Sequence, residues 1–137
     1  MVNFWGLLVF VGISKIMSNY ANWFELKGQV IKTFDIGDVS IGIELENGQK
    51  YSLYHEQDCC EYVRLIKSEG NIENIIGSEV TLAEEDSSEP DGYNEKYDDS
   101  HTWSKFTLKT VKGQFTAWFL GESNGYYNES MTFKKDK

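Results

Sequence analysis

An alternating stretch followed by a turn constrains the fold most, because together they specify a β-hairpin and its register. Apolar and polar residues alternate strictly over 39–45, which predicts a strand with one buried face. Asn47-Gly48 then marks a turn. A three-residue loop over 46–48 places Ile43 opposite Tyr51 and keeps apolar residues together, whereas a two-residue loop would pair them with polar ones. The chain is therefore expected to fold mainly as antiparallel β-sheet.

The remaining periodicity predicts more strands and one short helix. Strands are expected at 28–36, 60–67, 79–83 and 127–134, a second hairpin at 103–120, and a helical turn at 71–76 ended by Gly77. In the second hairpin a Lys112-Gly113 loop aligns Phe106 with Phe119 and gives both faces large apolar groups, which favours a central position in the sheet. The predicted class is α+β and β-dominated, with hairpins forming a twisted sheet or a small open barrel.

An apolar run near the N-terminus separates two regions, an extension over 1–27 and a single β-rich domain over 28–137. The run, 4–13, has ten residues, whereas a membrane span takes about 20. It also lacks the basic start and cleavage site of a signal peptide. An extension from an upstream start codon is favoured over a helix packed on the domain and over a weak membrane anchor. We therefore expect that a chain beginning at Met17 folds and stays in solution.

The net charge of −9 comes mostly from one stretch. Residues 84–99 hold eight acids and one base, so the rest of the chain carries a charge of only −2. Because nucleic-acid binding needs a basic footprint, direct contact with nucleic acid is not expected. The stretch itself is expected to be a solvated, mobile loop. The composition predicts a cytoplasmic protein with no membrane contact and with its two cysteines as thiols.

His55, Cys59, Cys60 and Glu61 form the densest group of chemically reactive residue types. The spacing lacks the Cys-x-x-Cys pair of strong zinc sites, and an extended backbone would direct the two cysteines to opposite sides. A Cys/His nucleophilic pair with His55 as base would lack a third, orienting group. Buried, inert cysteines are therefore favoured, and no catalytic set, metal or cofactor is expected.

A second candidate is the stretch 121–127 (GESNGYY), in which Asn124-Gly125 predicts a tight turn followed by two tyrosines. A binding loop and a plain turn are equally compatible with this pattern. The candidate binding residues are therefore Trp103, Trp118, Ser123, Asn124, Gly125, Tyr126 and Tyr127, together with His55, Cys59, Cys60 and Glu61.

Four segments carry a resemblance to a known family. They are HEQDCCE (55–61), IIGSEVTLAEE (75–85), HTWSKFTLKTVKG (101–113) and GESNGYYNESMTF (121–133). In this order they resemble an uncharacterised family of small proteins encoded by bacteriophages and bacteria, over about residues 28 to 133. The resemblance implies a phage protein that acts in the cytoplasm of the host bacterium on a host or defence protein.

Three functions remain as hypotheses. The leading one is a non-enzymatic, phage-encoded interaction protein, an inhibitor of a host or anti-phage defence protein with a basic surface, of open oligomeric state. The abundant aromatic residues and the acidic stretch favour it. The first alternative is a small-molecule or signalling-nucleotide sponge, since Tyr and Trp stack on bases, although no phosphate-binding loop is visible. The second is a Cys/His-based enzyme.

Overall fold

A computed structural model describes residues 19–93, 96–97 and 100–136. These residues form two antiparallel sheets whose strands are β1 Ile31–Ile36, β2 Ser40–Leu45, β3 Lys50–Tyr54, β4 Tyr62–Gly70, β5 Leu82–Asp86, β6 Ser100–Thr110, β7 Gly113–Ser123 and β8 Thr132–Lys135. The first sheet has the order β1-β2-β3-β8 and the second β4-β7-β6-β5. The expected β-dominated antiparallel fold is confirmed. The sheets do not close into a barrel, and the helical segments of the described chain are two 3₁₀ turns, Trp23–Leu26 and Ile72–Asn74.

The inner faces of the two sheets share one apolar core. The first sheet contributes Ile41, Ile43 and Leu45 from the alternating strand, and the second contributes residues such as Phe106 and Phe119. The first hairpin has the predicted register, with Ile43 opposite Tyr51. Because alternate side chains of a strand point to one face, this register places every apolar residue of the hairpin in the core.

The second hairpin has a different register from the predicted one. Phe106 lies opposite Ala117, not Phe119, and the turn is formed by Val111-Lys112. Gly113 is the first residue of β7, where a Cβ would lie 2.8 Å from Nδ2 of Asn74. Gly113 has a φ of +147° and lies close to the side chain of Asn74, so both its backbone conformation and this contact favour glycine, although the two turn residues are Val111 and Lys112. Because the shift is two residues, both faces keep their predicted side chains.

Several strand ends also differ from the predictions. β1 begins at Ile31 and not at 28, β4 spans Tyr62–Gly70 and not 60–67, β5 begins at Leu82 and not at 79, and β8 begins at Thr132 and not at 127. Two of these differences have one cause. Gly28 N–H donates to Val80 O at 2.8 Å and Val80 N–H donates to Gln29 O at 2.8 Å, so the two predicted strand starts bind each other.

The outer face of the second sheet carries a second apolar cluster of Trp103, Trp118 and Leu120. Tyr93 and Tyr97 from the acidic stretch pack against it, with the Tyr93 ring 4.9 Å from that of Trp103. The predicted central position of the second hairpin is confirmed by the strand order. The acidic stretch, expected to be a solvated loop, instead covers this face with its tyrosines, because two tryptophans there would otherwise be exposed.

The apolar run and Met17 lie outside the described residues. The chain from Asn19 onward contacts the domain, since Tyr20 forms a bridge with Lys134. Trp23 then enters the core, where its ring lies 5.0 Å from Phe106 of the second sheet and 5.2 Å from Phe133 of the first. Its indole Nε1 donates to Thr107 O at 3.1 Å.

We predict that Trp23→Ala lowers the free energy of unfolding by about 3–5 kcal/mol, because it removes a large side chain that joins both sheets. Phe24→Ala is the matched control, since Phe24 is the next residue and 64% exposed. It should change the stability by at most about 0.5 kcal/mol. Urea unfolding followed by circular dichroism measures both, and equal losses would contradict the role of Trp23.

Candidate functional site

A buried hydrogen-bonded pair of side chains, His55 and Glu61, lies at the end of β3. Nε2 of His55 is 2.7 Å from Oε2 of Glu61, and Nδ1 of His55 is 2.7 Å from Ser130 O. The side chains of His55 and Glu61 are 5% and 0% exposed, so His55 points inward. Each ring nitrogen of His55 therefore has an oxygen atom within hydrogen-bond distance.

Glu61 is held as a carboxylate by the loop that precedes it. Its Oε1 accepts from Cys59 N–H at 2.9 Å, and its Oε2 accepts from Asp58 N–H at 2.8 Å. Burial alone would raise the pKa of Glu61, but the hydrogen bonds from Cys59, His55 and Asp58 outweigh it and lower the pKa to about 2. Glu61 therefore organises the 58–61 loop as a charged group.

The prediction that Cys59 and Cys60 are free thiols is wrong for this structure, in which a disulfide joins the two sulfurs. That prediction rested on a reducing cytoplasm. The separate expectation that the two side chains point to opposite sides assumed an extended backbone, whereas residues 59 and 60 form a bend. The ring of His55 bonds to Glu61 and Ser130, so the structure does not assemble a Cys/His nucleophilic pair. Within the described ranges, no group of three or more His, Cys, Asp or Glu residues is arranged to hold a metal ion.

A second buried carboxylate, Glu129, lies beneath the 121–127 stretch. It accepts hydrogen bonds from the hydroxyls of Ser123 and Thr102, the latter at 2.9 Å. Burial would raise its pKa, but the hydroxyls of Ser123, Ser100 and Thr102 and the nearby His101 lower it below the ordinary value. Gly121 leaves room for this arrangement, because a Cβ there would overlap the backbone carbonyl of Glu129.

The hydrogen bonds of Glu61 and Glu129 connect three of the four segments that carry the family resemblance. His55 and Glu61 come from the first segment, Thr102 from the third, and Glu129 from the fourth. They are joined through Ser130, which follows Glu129 and accepts from His55. This hydrogen-bond network holds both ends of the 124–130 loop in place. The residues of the network therefore have a structural role.

The predicted turn at Asn124-Gly125 is confirmed. Gly125 has a φ of +98°, and its N–H donates to Oγ of Ser123 at 3.0 Å. Asn124 accepts from Tyr126 N–H at 3.1 Å, and Tyr126 is 88% exposed. Tyr127 is half-buried. The loop therefore presents one tyrosine to solvent.

The two candidate tryptophans lie elsewhere, on the outer face of the second sheet, and both are buried. Trp103 Nε1 donates to the hydroxyl of Tyr97 at 3.3 Å. Lys67 and Lys105 place their ammonium groups 5.6 and 5.5 Å from the Trp118 ring. Trp118 Nε1 has no hydrogen-bond partner in the described part of the chain. The tryptophans therefore contribute packing and not an exposed surface.

An open groove of about 620 Å³, which was not predicted, lies between the first 3₁₀ turn, β5 and β6. The exposed ring of Phe24 lines it, as do Glu84, Glu85 and Asp86. Burial raises the pKa of Glu85, and no salt bridge to Glu84, Glu85 or Asp86 exists among the described residues. The acidic run was visible in the sequence, but the neighbouring Phe24 was assigned to the extension.

The buried pair predicts a pH dependence. Because the pKa of Glu61 is lowered from 4.5 to about 2, its stabilisation is complete above pH 4.5 and disappears as the pH falls towards 2. Glu61→Gln should therefore be less stable than the wild type at neutral pH, and the difference should shrink across that window. Urea unfolding at a series of pH values measures it. The exposed Glu46→Gln should stay within about 0.5 kcal/mol of the wild type throughout, and a constant difference for Glu61→Gln would contradict the assignment.

The close contact between Gly121 and Glu129 predicts that Gly121→Ala lowers the free energy of unfolding by about 1–3 kcal/mol, because the new methyl group displaces backbone. Gly42→Ala is the control, since Gly42 also lies in a strand but has no atom within 4 Å of its Cβ position. Chemical denaturation compares the two variants. A Gly121→Ala protein as stable as Gly42→Ala would show that the Glu129 loop is not tightly packed on β7.

Comparisons with known proteins identify the family but not an activity. In the part of the chain that the structure describes, no helix is long and apolar enough to cross a membrane. No curated protein and no solved structure gives a match. A family model for a domain of unknown function, DUF7448, matches residues 24–133. This match covers strands β1 to β7, the start of β8 and the whole polar network, and the chain belongs to the DUF7448 family.

Proposed function

We propose that this protein is a non-enzymatic interaction module that binds a basic segment of another protein in the groove beside β5. The observation that carries the proposal is the combination of an exposed Phe24 with the carboxylates of Glu84, Glu85 and Asp86 along one open groove. An exposed aromatic residue is typical of a recognition surface, and the carboxylates beside it supply negative charge.

The electrostatics support a basic partner. Glu85 is partly desolvated, which raises its pKa and makes its charged form costly in the free protein. A lysine or arginine placed beside it would favour the charged form and so would gain from binding. The acidic surface would also attract such a partner over a distance of about one Debye length, roughly 8 Å at physiological salt.

The resemblance to phage proteins extends the proposal to a biological setting. In that setting the partner is a host or anti-phage defence protein with a basic surface, and the module acts as an inhibitor in the host cytoplasm. An inhibitor of this kind needs only to occupy a surface that its target uses for nucleic acid or another acidic ligand. The acidic groove supplies the complementary charge.

A defined peptide tests the groove. We predict that a fluorescein-labelled peptide of alternating lysine and valine, seven residues long, binds the full chain, and that Glu84→Gln/Glu85→Gln weakens binding by about tenfold, or 1.4 kcal/mol. Glu46→Gln/Glu73→Gln changes the net charge equally at exposed sites away from the groove. Fluorescence anisotropy gives the dissociation constants. Equal weakening by both double variants would show that only the net charge matters and would contradict the groove.

A further inference from the structure

The second sheet has a gap at one edge. β5 pairs with β6 only over the five residue pairs from Leu82–Lys109 to Asp86–Lys105. β6 continues beyond this point to Ser100 and remains paired with β7 along its other side. Over 100–104 its free side therefore has no neighbouring strand among the described residues. The groove lies at this gap and is lined there by Thr102, Trp103 and Ser104.

Backbone groups are available at the gap. In an antiparallel ladder, alternate residues direct N–H and C=O away from the strand to which they pair. Between Thr102 and Ser104, no backbone hydrogen bond to a described segment other than β7 is present. An edge of this kind is a template for an added strand.

The edges formed by β8, β1 and β4 are at least partly covered by the chain itself. On β8, Ala21 N–H donates to Phe133 O at 2.9 Å. On β1, Gly77 N–H donates to Ile31 O at 2.9 Å, and on β4, Leu65 N–H donates to Asp38 O at 2.6 Å. The gap beside β6 combines a free backbone with an open groove, and the edge strand β5 borders the same groove.

We propose that the basic partner segment binds by strand addition, extending along the 100–104 edge of β6 in continuation of β5. This inference rests on the proposed function, since it assigns the binding mode at the same groove. Five residues at a rise of about 3.3 Å cover roughly 16 Å of edge. Side chains of an added strand alternate between faces, as Glu84 and Glu85 of β5 do. The basic residues of the segment therefore meet one of these two carboxylates, and the apolar residues take the opposite face.

Backbone methylation of the peptide tests this mode without altering the protein. The alternating lysine–valine peptide is compared with two versions, one N-methylated on its lysines and the other on its valines. Charge and composition of the side chains are unchanged. Because N–H direction and side-chain direction both alternate with period two, only one of the two sets can face β6. We expect one methylated peptide to bind at least tenfold more weakly and the other to bind within about twofold of the parent.

The outcomes separate the two proposals. If the two methylated peptides behave alike, whether both bind or both fail, strand addition is wrong while the groove remains a site for basic segments, provided that the parent binds. If the parent peptide does not bind, both proposals fall. Hydrogen exchange gives the location: amides of 100–104 should exchange more slowly with the parent peptide, whereas those of 50–54 in β3 should be unaffected. Equal protection of both segments would also overturn strand addition.

Discussion

The two central strands of the second sheet must be covered on both faces, and much of the architecture follows from that need. Their inner faces carry Phe106, Phe119 and other core residues, which pack on the first sheet. Their outer faces carry Trp103 and Trp118, which need a separate cover. The chain supplies it from the acidic stretch after β5, whose tyrosines lie on Trp103. Because the chain leaves β6 after Asp86, the end of β6 loses its neighbour and the groove opens. Covering one face thus exposes one edge.

Buried charge is the second constraint. It determines the conformation of the loops around Glu61 and Glu129. Removing a carboxylate from water is costly unless hydrogen bonds replace the solvent. Glu61 receives two backbone N–H groups and His55, and Glu129 receives hydroxyl groups. Each carboxylate therefore requires a particular loop conformation around it. His55 and Glu61, which looked reactive in the sequence, therefore have a structural role. The ring of His55 bonds to Glu61 and Ser130 and so does not face the cysteines.

The sequence predicted what depends on local pattern and failed where tertiary contacts decide. Strict alternation and the Asn47-Gly48 turn were enough for the first hairpin. The second hairpin has apolar residues on both faces, so its register could not be derived from burial. The sequence placed Gly113 in the turn of this hairpin. In the structure Gly113 follows the turn and lies close to Asn74, which is 39 positions away in the sequence. The Cys59–Cys60 bond depends on a bend that no periodicity indicates. The groove needed the spatial meeting of Phe24 with β5, which sequence distance conceals.

The acidity of the groove also explains how an open strand edge can be tolerated. A free edge in a β-rich protein invites pairing with a second copy of the same chain. Two copies meeting edge to edge here would bring Glu84 and Glu85 of each together, and like charges in a desolvated contact cost free energy. Binding of a basic segment has the opposite effect on the free energy, because positive charge replaces water around the same carboxylates. One set of side chains therefore disfavours self-association and favours a basic partner.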